Sequence, residues 1–137
     1  MEFDVKIETT NERVVITNSN QTTSFLWEGE NVLSTPSLIS EMEETCRLLL
    51  KNILKDDEWD SVGTIVEIRH IAATPVGSKI ILKAKVESVN NRKIMFSVEA
   101  FDEIEKIGEG RHERFIINIP KFRSKFEEKK KILFVNN

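Results

Sequence analysis

The sequence predicts an α+β domain in which a curved antiparallel sheet wraps around one long central helix. Three observations carry that expectation. A single segment, 36–55, keeps a helical period with a wide apolar stripe. The segments between 61 and 119 instead alternate apolar and polar residues, the two-residue period of half-buried strands. Each of those strands offers one apolar face, and only one long helix is available to cover them.

The opening elements are short. Val5–Ile7 and Arg13–Thr17 read as strands separated by polar turn residues. Residues 18–34 show no period and are rich in Asn, Ser, Thr and Gly, which predicts a loop. Phe25, Leu26 and Trp27 lie within it, so this loop either packs on the core or forms a lid over a site. Thr35 is placed as the helix N-cap, with Pro36 in the first helical position. Leu38, Ile39, Met42, Cys46, Leu49, Leu50, Ile53 and Leu54 then fill an arc of roughly 160°. Ser40, Glu44, Arg47, Lys51 and Lys55 fall opposite, and Asp56-Asp57 end the helix.

Strands are expected at 61–73, 78–89, 93–101 and 106–119. Val62, Val66, Ile68 and His70 share one parity in the first of them. The connections are the Thr74-Pro75-Val76-Gly77 turn, an Asn90-Asn91 hairpin and a turn near 102–105. Pro120 ends the last strand, and Phe122–Lys131 can form a short terminal helix. The chain thus reads as one domain, 1–137, with a lid or loop at 18–34, a central helix at 35–55, strands over 61–119 and a basic tail at 121–137.

Composition excludes several classes. Twenty Lys+Arg against 23 Asp+Glu give a net charge of −3, not the basic footprint of a nucleic-acid binder. Lys121, Arg123, Lys125 and Lys129–Lys131 form a basic cluster, but Glu127 and Glu128 dilute it, leaving a solvated helix face or a phosphate contact. Apolar runs fall short of the roughly 18 residues of a membrane span, so neither nucleic acid nor membrane is expected as a partner. One Cys excludes an internal disulfide framework and fits a reducing, cytoplasmic compartment. The GxGxxG, P-loop and GxSxG patterns are missing, and the two His lie far apart from each other and from Cys46; no cofactor or metal is expected.

A few residues fit the packing pattern poorly. Glu43 lies at the edge of the apolar arc, either as a boundary carboxylate bonded to a neighbour or as a general base facing a cleft. His70 points to the core side at a strand end, as a structural imidazole or a proton carrier. The Thr35 hydroxyl is accounted for by capping alone. Gly63, early in its strand, marks a bulge or a close ligand approach, and Gly108 and Gly110 read likewise. In Arg111-His112-Glu113-Arg114, His112 and Arg114 share a face, which a cross-strand ion pair would explain.

Taken in order, these residues resemble a known family. Thr35-Pro36-Ser37-Leu38 through Met42-Glu43-Glu44-Thr45-Cys46, Val62-Gly63-Thr64, His70 to Gly77 (HIAATPVG) and Gly110 to Arg114 (GRHER) are similar to the hotdog-fold thioesterases, above all the fluoroacetyl-CoA-specific type. The likeness spans about residues 30–125. It implies a homodimer, or a tetramer of paired dimers, that hydrolyses a small acyl-CoA. It also implies a catalytic set of Thr35, Glu43 and His70, with Gly63 near the thioester carbonyl and Arg114 in the substrate site. Where the family's lid carries paired Phe residues, ungapped counting from Thr35 finds Leu26 and Gly29, so the resemblance carries the site but not the fluorinated substrate. A non-catalytic acyl-CoA binding module of the same fold is the alternative.

Overall fold

The computed structural model describes residues 3–23, 25–29 and 31–135. Strand β1 (Thr10–Ile16) is followed by a 3-10 turn (Ser19–Gln21) and a two-stranded ladder, β2 (Thr22–Thr23) with β3 (Val32–Leu33). Helix α1 (Thr35–Ile53) precedes β4 (Trp59–His70), β5 (Lys79–Asn90), β6 (Lys93–Phe101) and β7 (Lys106–Asn118), and α2 (Ile119–Phe134) follows. The main sheet is antiparallel in the order β1-β5-β6-β7-β4. The predicted class therefore holds: a main antiparallel sheet with the long helix α1 against its inner face.

The apolar arc of α1 buries Leu38, Met42, Cys46, Leu49 and Leu50 against Leu82, Val86, Ile94, Phe96, Val98, Ala100 and Ile116 of the sheet. These alternate with exposed or half-buried residues along β5 and β6, as the period required. Cys46 is a core residue, and burial pushes its thiol pKa up to about 12, which removes it as a nucleophile.

Several boundaries differ from expectation. Val5–Ile7 is not a strand; Val5 packs into the core and a turn follows at Ile7-Glu8. The last strand does not stop at Pro120. Asn118 caps α2 by accepting the Lys121 amide at 3.2 Å, and Pro120 sits in that helix's first turn, where a missing N–H costs nothing. The basic tail is therefore largely helix. Its first turns lie over Val62, Thr64, Phe115 and Ile117 on the outer face of the sheet, bounding a cleft of about 590 Å³.

One irregularity in β4 matters most. Gly63 pairs with Arg114 and Ile65 pairs with Glu113, so Thr64 is an extra residue in a β-bulge. The bulge inverts the parity of everything after it. Ser61 and Gly63 face inward, as do Val66, Ile68 and His70, because their partners Ile116, Arg114, His112, Gly110 and Gly108 all share the inner face of β7. Val62 thus points to the opposite side from Val66, a correction to the simple alternation. His70 keeps its expected inward direction.

Candidate functional site

The N-terminus of α1 is capped by Ser34, one residue earlier than expected. Its Oγ accepts the Ser37 amide at 3.2 Å while its own backbone stays extended. Thr35 is already helical, so its hydroxyl has no capping task. Instead Thr35 Oγ1 lies 2.8 Å from His70 Nδ1 at the far end of β4. The other ring nitrogen, Nε2, is buried and has no hydrogen-bond partner among the described residues. Burial holds the His70 pKa below its usual value, with a backbone contact to Ala72 pulling the other way.

The turn after His70 explains why this pair meets. Leu33 N–H donates to the Thr74 carbonyl at 2.8 Å and Val76 N–H to the Asn31 carbonyl at 3.0 Å. Thr74 is itself buried, its hydroxyl donating to Asp102 Oδ2 at 2.7 Å. Residues 74–76 thus strap down the segment that leads into Thr35. Phe25, Leu26 and Trp27 are exposed in the connection between β2 and β3.

A second cluster forms about Gly63. Arg114 is 5% exposed and His112 1%. Arg114 Nε donates to Ser61 Oγ and Nη2 to the Ser61 carbonyl, each at 2.7 Å. Its Nη1 lies 3.2 Å from His112 Nε2 and 3.9 Å from Glu43 Oε2. His112 Nδ1 lies 2.8 Å from the Ile65 carbonyl, which the bulge presents. Glu43 is half-buried, as its place at the edge of the helical arc required. A Cβ on Gly63 would meet Glu43 Oε2 and His112 Cε1 at 3.0 Å each, so the glycine keeps open a small space beside a carboxylate.

Thr35 and His70 therefore come together, and so do Glu43, Gly63 and Arg114. The two groups do not merge within one chain. Thr35 and Glu43 are eight residues apart on one helix, about 12 Å of rise. Gly63 and His70 stand seven residues apart on one strand, roughly 20 Å. Sequence reasoning missed Ser61 altogether and read His112 as one member of a cross-strand ion pair. Nothing local in the sequence announces Ser61; the inward parity of His112 with Arg114 was the one available signal.

Comparison with known proteins places this arrangement in a family. The model of the fluoroacetyl-CoA-specific thioesterase family matches residues 8–120. The chain belongs to that family. It is 34% identical over 102 residues to the fluoroacetyl-CoA thioesterase of Streptantibioticus cattleyicolor, covering 74% of this chain and 73% of that one. A solved structure of a fluoroacetyl-CoA thioesterase superposes with a TM-score of 0.83 at 27% identity, covering 91% of this chain and 97% of the other. A thioesterase-superfamily protein from Thermus thermophilus gives a TM-score of 0.84 over 93% of this chain and 95% of its own; at 24% identity, that likeness is one of fold. The fold is the hotdog fold of these thioesterases.

Proposed function

We propose that the protein is an acyl-CoA thioesterase whose working site uses Thr35 and His70 from one chain with Glu43, Gly63 and Arg114 from a second copy. The observation that carries this reading is the division of the family's residue set into two half-sites at opposite ends of β4. An antiparallel two-fold pairing of β4 edges, centred between Val66 and Glu67, would set His70 of each copy beside Gly63 of the other. The edge invites such pairing. β4 is an outer strand of twelve residues, and its mid-strand apolar residues Ile65 and Val66 are 38% and 41% exposed.

The chemistry then follows from the groups present. Thioester hydrolysis needs an attacking oxygen, a base, and donors for the developing oxyanion. Glu43 is the base that activates water or orients Thr35. The neutral imidazole of His70 exchanges a proton with the Thr35 hydroxyl. The space at Gly63 admits the thioester carbonyl close to the backbone, and Arg114 supplies positive charge there. The amides at the start of α1 add a favourable field for a negative intermediate. A small acyl group suits the narrow gap beside Gly63, and no cofactor is required by this chemistry. The lid tip lacks paired Phe residues, so we assign no preference for a fluorinated acetyl group. A single buried thiol fits a cytoplasmic location.

Release of free CoA from acyl-CoAs of graded length, followed with a thiol reagent, tests the reading. Glu43→Ala and His70→Ala should each lower turnover by about 10²–10⁴-fold. Binding without turnover would instead make the protein an acyl-CoA binding module, and full activity in both variants would remove these residues from the site.

A further inference from the structure

We propose that His112 is a positioning residue for the reaction: its neutral ring fixes the Arg114 guanidinium and thereby the Glu43 carboxylate beside Gly63. The inference deepens the thioesterase reading and rests on it.

The hydrogen-bond chemistry leaves His112 one state. The Ile65 carbonyl can only accept, so Nδ1 at 2.8 Å must carry a proton. A guanidinium can only donate, so Nε2, 3.2 Å from Arg114 Nη1, must present its lone pair. Both contacts are made together only by the neutral ring protonated at Nδ1. With Nε and Nη2 held by Ser61, this third bond locks the plane of the guanidinium. Two donors remain, one hydrogen on Nη2 and the second on Nη1; the latter is directed neither to Ser61 nor to His112, with Glu43 Oε2 3.9 Å from its nitrogen. That distance is an ion pair without a tight hydrogen bond, and it leaves the donor available for a substrate oxygen.

The backbone bulge belongs to the same device. Without the extra Thr64, Ile65 would not stand opposite Glu113, and its carbonyl would not be presented to the His112 ring. The ring also forms a wall of the space at Gly63, since its Cε1 is one of the two atoms an added Cβ would strike. His112 is therefore closed in on all sides and cannot rotate to another partner.

Protonation would break this arrangement. An Nε2–H would face the Arg114 N–H groups, replacing an acceptor with a like charge. The charged groups acting on the ring are Arg114 on its own strand and Glu43 from α1, with Cys46 and Arg47 of α1 and Asp60 of β4 acting on Arg114. Across β6 the ring faces Phe96, which does not titrate. Burial and Arg114 disfavour the imidazolium, while the Ile65 carbonyl and Glu43 favour it, and the balance lies toward the neutral ring.

Two measurements on the full chain test the inference. Nitrogen-15 NMR of histidine-labelled protein should show His112 with a protonated Nδ1 and a bare Nε2 at neutral pH. A ring protonated at Nε2, or at both nitrogens, overturns the proposal irrespective of any turnover. In acyl-CoA hydrolysis, His112→Gln keeps a neutral donor and acceptor, whereas His112→Leu keeps neither. The expected result is a kcat loss of about 10–10²-fold in the Leu variant with KM nearly unchanged, partial rescue by Gln, and a shift of the acid limb of the pH profile in the Gln variant. Equal kcat losses in both variants with an unmoved acid limb would mean His112 only fills space. Absence of turnover in the parent protein would overturn the thioesterase reading and with it any role in turnover, whereas the NMR result tests the His112–Arg114 geometry by itself, so the two failures are distinguishable.

Discussion

Replacing Gly63 by Ala probes the space between the carboxylate and the strand. The added Cβ would sit 3.0 Å from Glu43 Oε2 and 3.0 Å from His112 Cε1, roughly half an ångström inside ordinary contact. Glu43 can swing away, because it is the end of a half-buried side chain. His112 cannot, being tied to Ile65 and Arg114. The variant therefore relieves the clash by displacing the carboxylate and filling the place assigned to the thioester carbonyl. Misplacement of a reacting group by up to an ångström costs on the order of 10²-fold in rate, so kcat/KM should fall by about 10–10²-fold. Folding should lose between about 0 and 2.5 kcal/mol. The methyl adds about 1–3 kcal/mol of crowding, while loss of a strand glycine returns roughly 0.5–1 kcal/mol. Thiol-release kinetics with a short acyl-CoA, alongside a urea titration, gives both quantities. Unchanged kcat/KM in a folded Gly63→Ala variant would refute the reasoning, since the substrate would then not come near this residue.

Further outcomes follow from the same geometry. Ser34→Ala should cost about 0.5–2 kcal/mol in a denaturant titration, because Ser34 is the cap, whereas Thr35→Val should change stability by less than about 1 kcal/mol and yet abolish most turnover. The opposite pattern would return the capping role to Thr35. Stability should also depend on pH through both histidines. Their folded-state pKa values lie below the ordinary 6.5, so the unfolded chain binds protons first. Their contribution is complete above about 6.5 and is lost as the pH falls through the folded-state values; urea midpoints measured from pH 8 downward should decline over that window. In His112→Gln, the decline should shrink to the part due to His70.

How far the sequence foretold this arrangement varied with the kind of interaction involved. The period of Leu38, Met42, Cys46, Leu49 and Leu50 located α1 because burial against a sheet demands it. Glu43 stood out for the same reason, as a charge at the margin of that arc. Strand alternation held along β6 and in β5 as far as Val86, beyond which Glu87 is an extra residue in a second bulge. It failed in β4, since a bulge is a decision taken jointly with the partner strand and Thr64 carries no mark of it. Ser34 and Thr35 are equally good caps on chemical grounds, and only the path of the preceding strap, tied to Thr74 and Val76, decides between them. The terminal helix began earlier than expected because Pro120 can start a helix as well as end a strand. His112 was legible as a direction but not as a role, because its two partners lie on different strands or two residues along its own.

The division into half-sites is tested most directly by mixing two inactive variants. Thr35→Ala and Glu43→Ala are each denatured, combined in equal amounts and refolded together. If each site draws on both chains, half of the dimers are mixed and each mixed dimer holds one intact site, so activity should return to about a quarter of the parent level. A site built within a single chain would leave every site damaged, and the mixture would then be no more active than either variant alone.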